Sequence, residues 1–415
     1  MATLAELVDK KLSGSKMSGL NNKAEFNVAY STGFLHIDYL NGTTVYVDGH
    51  GKNFHYNSTG IVDGSTNTII GRSGSGKSTL MFQIFGYFLN KFPDCHLYMD
   101  DIEGSLPEAR KFFLLDLTEE DFEKRVHIRN SGITTENVYA RIRAIYDAKM
   151  SNKKEFTYNT GLFDIQGNII TKFVPTLYGI DSFAMLMPEN IEESDDLGTN
   201  MVGGQTAKQN SMLVKKISQL CKEANIILFT INHIATGIQT GYIPKQSQLA
   251  GLASDERLPG GQTAIYLANN LFRVDDGAKL TPDKDYGIDG SVIKFTIIKS
   301  RTNANRKSIP LIFNKTTGKF DELLSYFHLL KSEGKFDGAG AHLYFNELPD
   351  VKFNARSFKE VYYNNPELQE VFGRKLFELL STYLSVTKSV SKETRNTIYN
   401  LNDMFEKMGN SELSA

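Results

Sequence analysis

Thr68-Ile69-Ile70 runs directly into Gly71-Arg72-Ser73-Gly74-Ser75-Gly76-Lys77-Ser78, and an apolar helical stretch opens at Thr79-Leu80-Met81-Phe82. A Gly-x4-Gly-Lys-Ser segment between a strand and a helix confines the chain to few folds. Its glycines let the backbone curl so that N–H groups point at phosphate oxygens, and the helix N-terminus adds positive potential. Residues Gly71, Arg72, Ser73, Gly74, Ser75, Gly76, Lys77, Ser78 and Thr79 are thus expected to cradle a nucleoside triphosphate. Lys77 is expected to reach the β- and γ-phosphates, and the Ser78 hydroxyl to ligate Mg²⁺.

From Asn67 onward, strand-like and helix-like stretches alternate. Apolar strand runs occur at His96–Met99, Leu177–Asp181, Ile226–Ile231 and Ser291–Ile298. Helical periodicity marks Lys77–Asn90, Thr135–Met150 and Gln205–Ala224. This alternation predicts an α/β fold with a mostly parallel twisted sheet flanked by helices. Two β-rich runs within Phe156–Phe173 flank Gln166-Gly167-Asn168 and predict an inserted hairpin. The 415 residues divide into an arm over 1–30, a core over 31–330 and a C-terminal region over 331–415, helical from about Asp337. The arm carries Leu4, Leu7 and Val8 on one side of a short amphipathic helix.

Composition narrows the functional classes. A formal net charge of −2 rules out a global basic surface, so any nucleic-acid contact must come from local loops. No apolar run approaches the about 18 residues of a membrane span. Met1–Gly14 shows no secretory signal, and Cys95 and Cys221, both in apolar segments, suit buried thiols in a reducing compartment, so a cytoplasmic location is expected.

Two carboxylates stand out beyond the phosphate loop. Asp181 closes the strand Leu177-Tyr178-Gly179-Ile180-Asp181, where an acidic residue organises Mg²⁺ together with Ser78. Glu103 lies just past the strand His96–Met99, where catalytic groups of open α/β sheets collect, and it can serve as a general base. Asp100 and Asp101 are its neighbours and rivals for that role.

In this order, the pieces resemble the RecA family of strand-exchange ATPases, most closely the UvsX-like recombinases of large bacteriophages. The similarity spans about Asn27 to Leu330. Ser31-Thr32-Gly33-Phe34-Leu35-His36-Ile37-Asp38 resembles the family's entry motif, Asp101-Ile102-Glu103 its Asp-x-Glu, and Ile180-Asp181-Ser182 its Walker B ending. Phe229-Thr230-Ile231-Asn232-His233 is similar to the strand ending in the γ-phosphate sensor, which makes His233 the candidate sensor. Leu258-Pro259-Gly260-Gly261-Gln262 resembles the turn closing the second DNA-binding loop. Ile298-Lys299-Ser300-Arg301 resembles the paired cations that reach a neighbouring subunit's nucleotide. The Tyr that many relatives stack on adenine is missing after Glu103.

The resemblance implies a RecA-like P-loop core, ATP with Mg²⁺, and a homo-oligomeric helical filament with nucleotide at the subunit interface. It implies single-stranded DNA and homologous duplex DNA as partners, together with a recombination mediator and a single-strand-binding protein. The first DNA loop would end at Met201, Gly203 and Gly204. The second would offer Tyr242, Lys245, Arg257, Gly260 and Gly261. Phe26-Asn27-Val28-Ala29 also fits a Phe-x-x-Ala polymerisation motif, or an ordinary strand entering the core. Two other functions share the phosphate loop: a RecA-fold hexameric DNA helicase, and an ATP-regulated assembly protein without enzymatic activity. The Asp101-x-Glu103 pair, the Gly-Gly turn and the Lys299/Arg301 pair favour the recombinase.

Overall fold

The computed structural model describes residues 28–386, apart from 50–51, 164–168, 193–200, 237–250, 254, 260–264, 266, 284–285, 304–306 and 341. Its centre is a mixed, mostly parallel sheet of nine strands. In chain order these are β1 (Thr66–Gly71), β2 (His96–Asp101), β3 (Val126–Arg129), β4 (Thr176–Asp181), β5 (Ile226–His233), β6 (Asn270–Leu280), β7 (Gly290–Ser300), β8 (Ser308–Asn314) and β9 (Lys319–Asp321). Across the sheet they run β9-β8-β7-β6-β1-β5-β4-β2-β3. The strands from β6 to β3 are parallel, and β7, β8 and β9 extend that sheet antiparallel.

The inner strands are apolar on both faces, as parallel strands covered on two sides must be. Along β5, Ile227, Phe229 and Ile231 enter one apolar cluster, while Ile226 and Leu228 enter another on the opposite face. The helix α1 (Lys77–Lys91) covers the first face with Phe82, Phe85 and Phe88, and the Phe85 and Phe229 rings meet edge to face at 5.3 Å. Helices α2 (Thr135–Ser151) and α3 (Met201–Ala224) cover the second through Val138, Ile142, Leu213 and Ile217. All of these elements lie where periodicity predicts them, except that α3 begins at Met201 rather than Gln205. Gly203 and Gly204 therefore belong to its first turns, not to a loop.

Thr157–Phe163 pairs antiparallel with Ile169–Phe173, as expected of the two arms of a hairpin; the predicted turn lies outside the described residues. The expectation of helix from Asp337 is corrected. Asp337–Ala339, His342–Phe345 and Leu348–Phe353 form a three-stranded antiparallel sheet. Its signal is a short alternation, with Leu343 and Phe345 buried, Tyr344 between them half-buried and His342 exposed. Helices follow at Phe358–Asn364 and Pro366–Ser381, the latter capped by Asn365, whose side chain accepts from Leu368 N at 2.9 Å. Phe345, Phe353, Phe358 and Phe372 join the same apolar cluster as α1, so this region continues the main core.

At the other terminus, Val28 and Tyr30 are already buried in that cluster. Ser31 and Thr32 donate to the buried Asp38 carboxylate, which fastens the entry segment to the helix Leu35–Leu40. The expected arm helix with Leu4, Leu7 and Val8, and Phe26 of the Phe-x-x-Ala segment, lie outside the described residues. Among the described residues no helix is long and apolar enough to cross a membrane.

Candidate functional site

The phosphate loop emerges from the C-terminal end of β1, between β5 and β6. Gly71 pairs with His233 on one side and Val274 on the other. A Cβ on Gly71 would lie 2.3 Å from the Val274 carbonyl oxygen, so no larger residue fits this crossing. Gly76 has φ +88° and leads straight into α1, whose first turn has no side-chain cap. The first N–H groups of α1 are thus free of a side-chain competitor for an anion. Arg72, Ser73 and Gly74 form the exposed crest of the loop, and Ser75, Lys77 and Thr79 are buried beneath it.

Lys77 Nζ donates to the Arg72 carbonyl across the loop at 2.7 Å. Burial lowers its pKa from the usual lysine value, opposed by the charges of Asp181, Glu103 and Asp276. Ser78 Oγ donates to Asp181 Oδ2 at 2.6 Å, which joins the loop to the end of β4 two strands away. Burial, partly countered by that hydrogen bond, raises the Asp181 carboxyl to about 6. Its other oxygen, Oδ1, is buried with no hydrogen-bond partner, as is the Ser75 hydroxyl. A buried carboxylate oxygen left in this way beside a serine hydroxyl is a donor set suited to a hard cation such as Mg²⁺.

The acidic run after β2 resolves into three different environments. Asp100 is buried, forms an ion pair with Arg141 at 2.7 Å and accepts from the Tyr178 hydroxyl. Asp101 is buried against the Lys111 ammonium and accepts from Gly104 N at 3.0 Å. Both are committed to structure. Glu103 alone turns toward the strand ends, where the His233 Nε2–H donates to its carboxylate. Its position is fixed from below, because the Ile102 and Glu103 amides both donate to the Asp181 carbonyl, at 2.6 and 3.1 Å. Ser78, Asp181, Glu103 and His233 therefore collect at the C-terminal ends of β1, β4, β2 and β5, where ligands of open α/β sheets bind.

Lys299 and Arg301 lie elsewhere. Strand β7 is antiparallel to β6, and Ser300 is level with Asn270 and, through it, with Asn67. That level is four residues before Gly71, or about 13 Å along the sheet at strand rise. Lys299 Nζ donates to the Ile265 carbonyl at 3.2 Å, and Arg301 is exposed. The pair stands at the opposite end of the sheet from its own chain's phosphate loop.

Of the expected DNA contacts, Arg257 is exposed on the two-residue strand Glu256–Arg257, which pairs antiparallel with Ala235–Thr236 just after His233. Met201, Gly203 and Gly204 open α3. Tyr242, Lys245, Gly260 and Gly261 lie outside the described residues. Sequence reasoning missed Asp276, whose charge acts on Lys77, and the Glu256–Arg273 ion pair at 2.6 Å. None of the three sits in a motif; the pairing of β6 with β1 brings Arg273 and Asp276 near the loop, and Arg273 in turn holds Glu256. No protein-family model matches the chain, and no curated protein matches it significantly.

Proposed function

We propose that this chain is a DNA-dependent ATP hydrolase of RecA-like fold. It would polymerise on single-stranded DNA and pair it with homologous duplex in recombination and repair, in the cytoplasm. One observation carries the reading: Glu103 is hydrogen-bonded to His233, and the chain leaving His233 pairs at once with Glu256–Arg257. A candidate base, a candidate sensor and the ends of a long intervening segment thus share one line of contacts. A generic nucleotide-binding protein has no need of this connection.

In this mechanism Ser78 and Asp181 would hold Mg²⁺, which would supply positive charge to neutralise phosphate oxygens. The Lys77 ammonium exchanges the Arg72 carbonyl for phosphate oxygens. Glu103 orients a water in line with the γ-phosphorus and accepts its proton as the new P–O bond forms and the bond to the ADP oxygen breaks. His233, released from or held by Glu103, reports the presence of the γ-phosphate to residues 234–236. Lys299 and Arg301, too far from their own loop, supply positive charge to the site of a neighbouring copy.

The test is a D-loop assay with ATP, a single-stranded oligonucleotide and homologous supercoiled duplex, alongside electron microscopy. Joint molecules and open helical filaments are expected. Closed rings that unwind duplex without pairing would favour a helicase, and assembly without hydrolysis would reduce the chain to an ATP-regulated scaffold.

A further inference from the structure

Arg273 lies on β6 opposite Ile70, one residue before the point where Val274 meets Gly71 of the phosphate loop. Its guanidinium is largely buried and spends nearly all of its donors locally. Nη1 and Nη2 grip the two Glu256 oxygens at 2.6 and 2.9 Å, Nε donates to Asp275 at 2.7 Å, and Nη1 also donates to the Gly251 carbonyl at 2.8 Å. Glu256 is more deeply buried still, and its carboxylate also accepts from Ala253 N at 2.8 Å. Gly251, Ala253 and Glu256 are therefore fastened to the strand beside the phosphate loop by one planar, bidentate clamp. One further bond ties the same region to β5, where Asn232 Nδ2 donates to the Pro259 carbonyl at 2.9 Å, and the exit of β5 is itself held to the phosphate loop by Ile234 N, which donates to the Gly71 carbonyl at 3.1 Å.

We infer that Arg273 and Glu256 are positioning residues that transmit the state of the phosphate loop to residues 251–259. This deepens the proposed function, on which it rests, by adding a route separate from Glu103 and His233. The geometry favours transmission over simple bracing. The clamp joins the phosphate loop's immediate neighbour strand to the return end of the 237–255 segment, whereas β6 is already secured along its length by β1 and β7. Arg72, in the crest of the loop, adds a second positive charge acting on Glu256. A shift of the loop would therefore change the field at the clamp directly.

The experiment uses the full chain and a non-hydrolysable ATP analogue with Mg²⁺. Hydrogen exchange is followed at residues 234–236 and 251–259 in wild type, Arg273→Lys and Glu256→Gln. In wild type the analogue should slow exchange there by about tenfold, and in both variants by less than about twofold, with analogue affinity unchanged. Lysine keeps the charge but loses the bidentate fork, and glutamine keeps the shape but loses the charge, so a merely structural role would predict different outcomes for the two. Thermal melting checks that each is folded, and Glu256→Gln decides if Arg273→Lys is not. A wild-type response that persists in the folded variants, or no response in wild type, overturns the inference. A response that is lost in the variants while wild-type hydrolysis ignores single-stranded DNA supports the clamp and overturns the DNA-dependent reading.

Discussion

Lys149→Met isolates the energetics beneath the site. Lys149 is buried, and its Nζ donates to the Val174 carbonyl at 2.7 Å and the Ala224 carbonyl at 2.9 Å. It thereby joins α2 to the residues that lead into β4 and β5, the strands ending in Asp181 and His233. Burial is the largest influence on its pKa, lowering it from 10.5 to about 7. Above 10.5 both folded and unfolded chains are neutral at this position. Between 7 and 10.5 only the unfolded chain holds the proton, so stability rises with pH. Below 7 both hold it, and the full penalty for a buried cation is present. One proton difference corresponds to about 1.4 kcal/mol per pH unit, so from about pH 7.5 to about pH 9.0 wild type should gain about 2 kcal/mol relative to Lys149→Met. The variant also leaves two carbonyls without a donor, at a cost of about 1–3 kcal/mol each, but that cost is independent of pH. Urea unfolding at both pH values, followed by far-UV circular dichroism because the chain contains no Trp, gives the difference. Equal pH slopes in the two proteins would refute a neutral Lys149 in the folded state.

Three further outcomes follow from the site. Glu103→Gln should retain ATP binding by fluorescence titration and lower the hydrolysis rate by about a hundredfold or more, the usual scale of general-base loss; a rate near wild type would remove Glu103 from the chemistry. Arg301→Ala should abolish DNA-stimulated hydrolysis while ATP binding remains measurable, and mixing it with a Lys77→Ala chain should restore part of the rate if the cation acts across an interface. Replacing Lys245 and Arg257 together should lower the slope of log affinity for single-stranded DNA against log salt by about 1.4, and an unchanged slope would dismiss both residues as phosphate contacts.

What was legible in the sequence is what local chemistry specifies. The strand Thr66–Gly71 and the helix Lys77–Lys91 joined by a tight glycine-rich turn could be read because glycine spacing acts within one short segment. The inner strands could be read because burial on both faces demands continuous apolar runs. Glu103 was already favoured over Asp100 and Asp101 by its place and by the Asp-x-Glu resemblance, but the partners that hold the two aspartates, Arg141, Tyr178 and Lys111, were visible only in three dimensions. The Glu103–His233 contact joins residues 130 apart, and nothing in either neighbourhood announces it. The strands Asp337–Ala339, His342–Phe345 and Leu348–Phe353 misled because at three, four and six residues they show little more than one to three periods of alternation. Gly203 and Gly204 misled because glycine marks loops on average, yet helix α3 absorbs both within its first turns.

The placement of Lys299 and Arg301 at the far end of the sheet has a consequence for counting. If their charge serves a neighbour, each chain owns one phosphate loop and one cation pair but never both parts of the same site. An open row of n copies then contains n − 1 complete sites, and a closed ring contains n. Activity per chain in an open row would climb with length toward a plateau, and one end would carry a loop that binds nucleotide without turning it over. Such an end is chemically distinct from the other and from every interior position, so growth and loss of subunits would have an inherent direction.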